Sequence, residues 1–194
     1  DYIAAYLQKS GLDYFITKEP GGTELGAKIR SILLDPENIN IHPMTELLLY
    51  AADRVQHIKE LITPMIKAGK VVICDRFHDS TTVYQGFTRG IDVSLIQRLN
   101  SLVLEGLTPD ITFVLDLDPE IGLKRAWKQI RNGSRSESET RFENEKIQFH
   151  ESVRNGYLEL ARQEPDRFIV VDASADPSNV WDQIFEQLEK CFKI

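Results

Sequence analysis

Apolar positions fall in two alternating periods along the chain. From Asp1 to Lys9, Ile3, Ala4 and Leu7 share one helical face, and Gly11 marks its end. Tyr14 to Thr17 is a short apolar run of strand length. Helical spacing returns over Glu24–Leu34, where Ile29, Ile32 and Leu33 are apolar, and over Pro43–Ala68, which Gly69 stops. Val71–Asp75 is a β-branched run that predicts a buried parallel strand. Short helices are expected over Asp79–Gln85 and Val93–Leu104, a strand over Ile111–Asp116 and a helix over Pro119–Ile130. Asn132–Thr140, with one Gly and three Ser, reads as a mobile loop. A helix over Phe142–Arg162, a strand over Phe168–Asp172 and a helix over Pro177–Lys193 complete the pattern. Strands alternating with helices predict an α/β layered domain around a parallel sheet. The 194 residues, with no internal repeat and no long linker, fit one domain spanning 1–194.

Charge narrows the chemistry. The net charge is -7, which argues against a nucleic-acid polymer as partner. Yet six basic residues and only two acids lie between Lys124 and Arg141, a local +4 suited to an anionic ligand. No apolar run approaches the roughly 20 residues of a membrane helix, so no membrane is expected. Cys74 and Cys191 have no metal spacing, and Cys74 reads as a small core residue. A reducing, cytoplasmic setting follows.

Polar residues gather where strands end. In parallel sheets the C-terminal strand edge is where ligands bind. Asp75 and Arg76 stand at that position, with Ser80, Thr81, Tyr84 and Gln85 just after them. A carboxylate that can hold a metal-bound water, beside a guanidinium that forks onto phosphate, suits phosphoryl transfer. Gln85 offers a paired donor and acceptor, as the edge of a pyrimidine does. Lys18-Glu19-Pro20-Gly21-Gly22-Thr23 follows the first predicted strand. It reads either as a turn with Thr23 as N-cap, or as a ligand loop with Glu19 facing the ligand. The Glu19–Pro20 bond is expected to be trans. Arg30 lies two helical turns on, and an isolated helical arginine is usually solvated. Tyr50 and Arg54 share a helix face that His57 continues. Either the ring stacks on a base with the guanidinium beside it, or Tyr50 is half-buried and Arg54 pairs with Asp53 or Glu46. Arg131, Arg135 and Arg141 flank the Gly/Ser-rich loop, as a solvated charge run or as a lid closing on phosphates. Asp118-Pro119 is an ordinary helix start. His42 and His150 match no nucleophile or metal template.

Together these segments resemble the thymidylate kinase family, which transfers the γ-phosphoryl of ATP to dTMP. The resemblance rests on Glu19-Pro20-Gly21-Gly22-Thr23, on Leu48-Leu49-Tyr50-Ala51-Ala52-Asp53-Arg54, and above all on Asp75-Arg76-Phe77 through Tyr84-Gln85-Gly86. Leu115–Glu120 and Arg141-Phe142-Glu143 add to it. It departs from the family at Lys18, where Arg is usual, and at Tyr50, where many members carry Phe. It implies a three-layer P-loop NTPase-type fold with a central five-stranded parallel sheet and a lid over 131–141. It also implies Mg²⁺, ATP as co-substrate, and a homodimer through helices.

By resemblance, Asp75 organises Mg²⁺, with Glu19 acting indirectly, and Arg76 bridges phosphates with Arg131 and Arg135 from the lid. The dTMP site takes Glu19, Pro20, Arg30, Leu34, Tyr50, Arg54, Arg76, Thr81, Tyr84 and Gln85. Thr81 and Gln85 read the thymine edge, Tyr50 stacks on it, and Tyr84 packs on the sugar. Arg131, Arg135, Ala173 and Ser174 face ATP. The family's GxxxxGKS/T loop does not occur in the 194 residues. A further strand and loop of about 15–20 residues is expected before Asp1. Two other readings stay open at this point: another nucleoside or nucleotide kinase of the same fold, and a nucleotide-binding module without turnover.

Overall fold

The computed structural model describes residues 2–192. Asp1 and Lys193, the outer ends of the first and last predicted helices, lie outside them. Helix α1 (Tyr2–Lys9) leads to β1 (Tyr14–Lys18) and α2 (Glu24–Leu34). Thr23 caps α2, its Oγ1 accepting from Gly26 N at 2.9 Å. Helix α3 (Pro43–His57) passes through a wide turn, Ile58–Ile62, into α4 (Thr63–Lys67). The single helix expected over Pro43–Ala68 therefore contains a widened turn, in which Thr63 N–H reaches back to Ile58 O. Pro64 supplies the reason. It has no N–H, and its ring would clash with the carbonyl one turn back, so an extra residue in the turn relieves it.

Strand β2 (Val71–Asp75) precedes α5 (His78–Thr81), which widens in the same way over Thr82–Thr88. Then come α6 (Val93–Leu104), β3 (Thr112–Asp116) and α7 (Pro119–Arg131). Asp118 caps α7 by accepting from Glu120 N at 2.9 Å. A short turn at Glu137–Glu139, helix α8 (Ile147–Gln163), β4 (Phe168–Asp172) and α9 (Pro177–Phe192) complete the chain. Helix α8 starts five residues later than the apolar pattern predicts. The intervening residues fold as turns, with Asn144 N bonded to Thr140 O and Glu145 N to Phe142 O.

The fold is α/β with parallel strands, and the described residues hold four strands, where the resemblance implies five with one lying before Asp1. Strand β1 pairs with β2 over Tyr14–Lys18 and Val71–Asp75, and β3 pairs with β4 over Thr112–Asp116 and Phe168–Asp172. These are two separate sheets, because no strand among the described residues lies between β2 and β3 to join them. The core divides accordingly. Ala51, Ile58, Ile62, Phe77, Val103 and Leu104 pack beside β2, with Cys74 at their margin. Val83, Val114, Leu160, Ala161 and Phe168 join α8 to the second sheet. Val171, Ile184 and Leu188 anchor α9, with Ile3 and Tyr6 of α1 against them. No helix among the described residues is long and apolar enough to cross a membrane.

Candidate active site

The turn after β1 is built around buried polar groups. Glu19 is 3% exposed and accepts from Arg54 Nε at 2.7 Å, with Arg54 Nη2 also paired to it. Arg54, 1% exposed, also donates through Nη2 to Thr81 Oγ1 at 2.9 Å and through Nη1 to Asn100 Oδ1 at 3.4 Å. A buried guanidinium requires this degree of satisfaction. His57 Nδ1 lies 3.4 Å from the second Glu19 oxygen, and its Nε2 lies 2.7 Å from Thr17 Oγ1. Asp53 Oδ1 accepts from Gly21 N at 3.2 Å, while its Oδ2 is buried with no partner among the described residues. Burial raises the Asp53 carboxyl above its ordinary value, against the pull of the Gly21 N–H.

Two glycines make this closeness possible. A Cβ on Gly22 would lie 2.6 Å from His57 Nε2, and one on Gly26 would lie 2.2 Å from Asp53 Oδ1. The Glu19–Pro20 bond is cis, not trans as expected. Arg54 pairs with neither Asp53 nor Glu46, the partners the sequence offered, but with Glu19 from across the site.

Above this network opens a cleft of about 350 Å³. Its walls include Glu19, Pro20, Arg30, Leu34, Tyr50, Arg54, Arg76, Thr81, Tyr84 and Gln85, and also Arg135. Burial, and then the Glu46 carboxylate, push the Tyr50 phenol above its ordinary value, so it stays a hydroxyl. Arg76 leaves β2 with a left-handed backbone, φ 67°. That conformation costs a non-glycine residue on the order of 1–2 kcal/mol. It sends the guanidinium over the Tyr84 ring, 5.3 Å from its centroid, with Nη1 donating to the Tyr84 hydroxyl at 3.1 Å. Tyr84 is in turn held edge-on by Phe142, Phe149 and Tyr157.

The other cleft arginines are paired with carboxylates. Arg30 donates through Nε and Nη2 to the two oxygens of Glu139 at 2.9 and 2.8 Å, and through Nη1 to Pro20 O at 3.1 Å. Arg135 pairs with Glu143. Arg154 forks onto Asp116 at 2.6 and 2.8 Å, and those bonds hold the Asp116 carboxyl below its ordinary range. Among the described residues Arg76 alone of these five makes no ion pair.

Four of the predicted positions stand apart. Asp75 faces a second, shallower cleft with Lys18, Gly21 and Gly22. Arg131 is exposed at the last turn of α7. Ala173 and Ser174 follow β4, where Arg125 takes both of their carbonyls, at 3.0 and 3.4 Å. Asp75 carries an exposed carboxylate with no ion pair among the described residues. A single free carboxylate suits Mg²⁺, which is held by one or two carboxylates together with substrate phosphates. No cluster of three or more metal-ligating side chains occurs among the described residues.

Sequence reasoning did not assign site roles to Glu46, Glu139, Asp116, Arg154 or Phe142. Each depends on a partner 38 or more residues away, or on a ring packed across elements.

Comparison with known proteins places these features. The family model described as thymidylate kinase matches residues 1–184. The chain is similar to the thymidylate kinase of Desulfosudis oleivorans, 52% identical over 188 residues, 97% of this chain and 88% of that one. It is 50% identical to that of Desulforapulum autotrophicum, over 95% of this chain and 81% of that one. The crystal structure of thymidylate kinase from Ehrlichia chaffeensis superposes with a TM-score of 0.73 at 32% identity, covering 96% of this chain and 87% of that one.

Proposed function

The chain belongs to the thymidylate kinase family, and we propose that the cleft between α2, α3, α5 and α8 is its acceptor site for dTMP. The reaction is ATP-dependent phosphorylation of dTMP to dTDP. The observation that carries the assignment of the cleft is its lining. All ten residues expected to hold dTMP share one wall system, though they come from segments spread over 67 positions of sequence. In this reading the Tyr50 ring stacks on thymine, Thr81 and Gln85 meet its edge, and Tyr84 packs on the sugar. Arg30 takes the acceptor phosphate when Glu139 releases it.

Arg76, unpaired and fixed over Tyr84, meets the charge that develops on the transferring phosphoryl. No covalent intermediate is required, because positioning and charge neutralisation suffice. Residues 131–141 close as a lid within a single kinase domain, bringing Arg131 and Arg135 to the donor phosphates, with Ala173 and Ser174 on the ATP side. Mg²⁺, held by Asp75 with Glu19 behind it, would neutralise phosphate charge. The two strand pairs are read as parts of one five-stranded sheet, since neither β2 nor β3 has a second neighbour among the described residues. Exposed Leu48 and Val55 on α3 and Leu102 on α6 support a homodimer through those helices. The free, unpaired cysteines agree with a cytoplasmic setting.

The test is a coupled assay of the full chain with ATP and Mg²⁺ against dTMP, dUMP, dCMP and thymidine. Preference for dTMP, lost on chelation of the metal, is expected. Equal turnover of all four acceptors would sink the assignment of the cleft.

A further inference from the structure

Glu46 lies outside the cleft lining, yet its carboxylate is 1% exposed and touches a residue that is in it. Its Oε1 accepts from Gln85 Nε2 at 2.6 Å. Its other oxygen is paired with Arg141, whose Nη1 donates to Leu33 O at 2.8 Å, while Arg89 Nε stands 3.7 Å from Oε1. Gln85 is itself 1% exposed. A carboxylate paired to guanidinium offers only lone pairs, so the face of Gln85 turned to it must be the NH₂. Flipping the amide would set Oε1 against those lone pairs in a low-dielectric interior. The carbonyl of Gln85 is thereby left for the cleft, and among the described residues no donor bonds it.

We infer that Glu46 is a specificity-determining positioning residue: it locks the Gln85 amide so that only an acceptor faces the Watson–Crick edge of the base. The inference rests on the reading that Gln85 meets that edge. Thymine and uracil carry a hydrogen on N3 and can donate to the fixed Oε1. Cytosine presents a lone pair at N3, and two acceptors then face each other. Glu46 thus sorts pyrimidines without touching one. It also ties that sorting to Arg141, at the end of the 131–141 segment.

The test is a ratio. The kcat/KM for dTMP, dUMP and dCMP with ATP is measured for the wild-type chain, Glu46→Gln and Glu46→Asp. Glu46→Gln frees the Gln85 amide to turn and should lower the dTMP:dCMP ratio by about 10- to 100-fold. The dTMP:dUMP ratio, which does not depend on N3, should hold. Glu46→Asp keeps a charge for Arg141 but withdraws it from Gln85, and should move the ratio the same way. Parallel loss on all three acceptors, with both ratios intact, overturns the inference.

Gln85→Ala separates the two failures. If it too leaves the dTMP:dCMP ratio unmoved, Gln85 does not read the base and the parent reading falls. If it collapses the ratio while the Glu46 variants do not, only the role of Glu46 falls. Should neither Glu46 variant fold, side-chain ¹⁵N-glutamine NMR of the wild-type chain decides. One Gln85 amide proton, assigned by its loss in Gln85→Ala, should exchange slowly before nucleotide is added. Fast exchange of both protons overturns the inference.

Discussion

The acceptor wall and the 131–141 segment use the same side chain, arginine, under opposite conditions. Arg54 in the wall is 1% exposed and bonded to Glu19, Thr81 and Asn100. Arg131 is exposed, and Arg135 has a single partner in Glu143. Apart from Arg30, which Glu139 holds, the wall is assembled before any nucleotide arrives, so binding there costs little reorganisation. The segment has that cost still to meet, because its charges are solvated or latched. Arg141 joins the two regions, lying within the segment but buried at 7% against Glu46. On the proposed reading, a kinase that must accept one acceptor and exclude water gains from this division, with a stiff acceptor wall and a segment that closes only when nucleotide is bound.

Arg76 gives the sharpest way to break the comparison. It is in the wall, but without an ion pair its charge is free for the phosphoryl group. Arg76→Ala should lower kcat by about a thousand-fold, the scale of losing one preorganised charge on a transferring group. The melting temperature should barely move. Arg76→Gly should be equally inactive but more stable than Arg76→Ala by about 1 kcal/mol, since glycine accepts the left-handed backbone freely. Near-normal turnover in either folded variant removes Arg76 from the chemistry.

Glu19 tests the stiffness of the wall directly. Glu19→Ala strands the buried Arg54 charge and should cost about 3–5 kcal/mol of stability, read from denaturant unfolding. An exposed arginine of the other region supplies the control, because Arg131→Ala should change stability by less than about 0.5 kcal/mol. Similar losses in the two variants would mean that the regions do not differ as described.

Much of the wall was legible because its signals are local. Arg76 follows a β-branched run, Thr81, Tyr84 and Gln85 come just after it, and Tyr50 and Arg54 recur at helical spacing. The partners were not legible. Glu46 belongs to the same helix as Tyr50, but its bonds go to Gln85 and Arg141, 39 and 95 positions away. Nothing in a single sequence orders such pairs. The five-stranded sheet was implied only by resemblance, and the described residues show four of its strands as two pairs, with none between β2 and β3. The widened turns before Pro64 and after Thr81 escaped for another reason. One extra residue shifts the apolar face by a single position, which the short stretch on either side of it does not reveal.

Tyr50 asks whether the wall recognises the base or only shapes the cleft. Tyr50→Ala should weaken dTMP binding by about 10- to 100-fold, within the 1–3 kcal/mol expected of a base stacked on an aromatic ring. ATP binding should stay within about twofold. Calorimetric titration of each nucleotide separates the two, and equal weakening of both would count against stacking.

Glu139 carries the smallest effect and lies where the two regions meet. Its carboxylate occupies Arg30 as an acceptor phosphate would, through two parallel bonds. If Arg30 takes the acceptor phosphate as proposed, dTMP displaces Glu139, so Glu139→Ala should lower the KM for dTMP, with kcat little changed. The pair is 22% and 30% exposed, which limits its strength to about 1 kcal/mol and the change in KM to about two- to fivefold. The hydrogen bonds from Arg30 hold the Glu139 carboxyl below its ordinary value. The latch is therefore complete above the ordinary glutamate value of about 4.3 and opens only as pH falls through the lower value of the folded chain. Between pH 6 and 8 the ratio of wild-type to Glu139→Ala KM should thus stay flat. A ratio of one across that range would show that Arg30 is free when dTMP arrives, and that the segment does not reach into the wall.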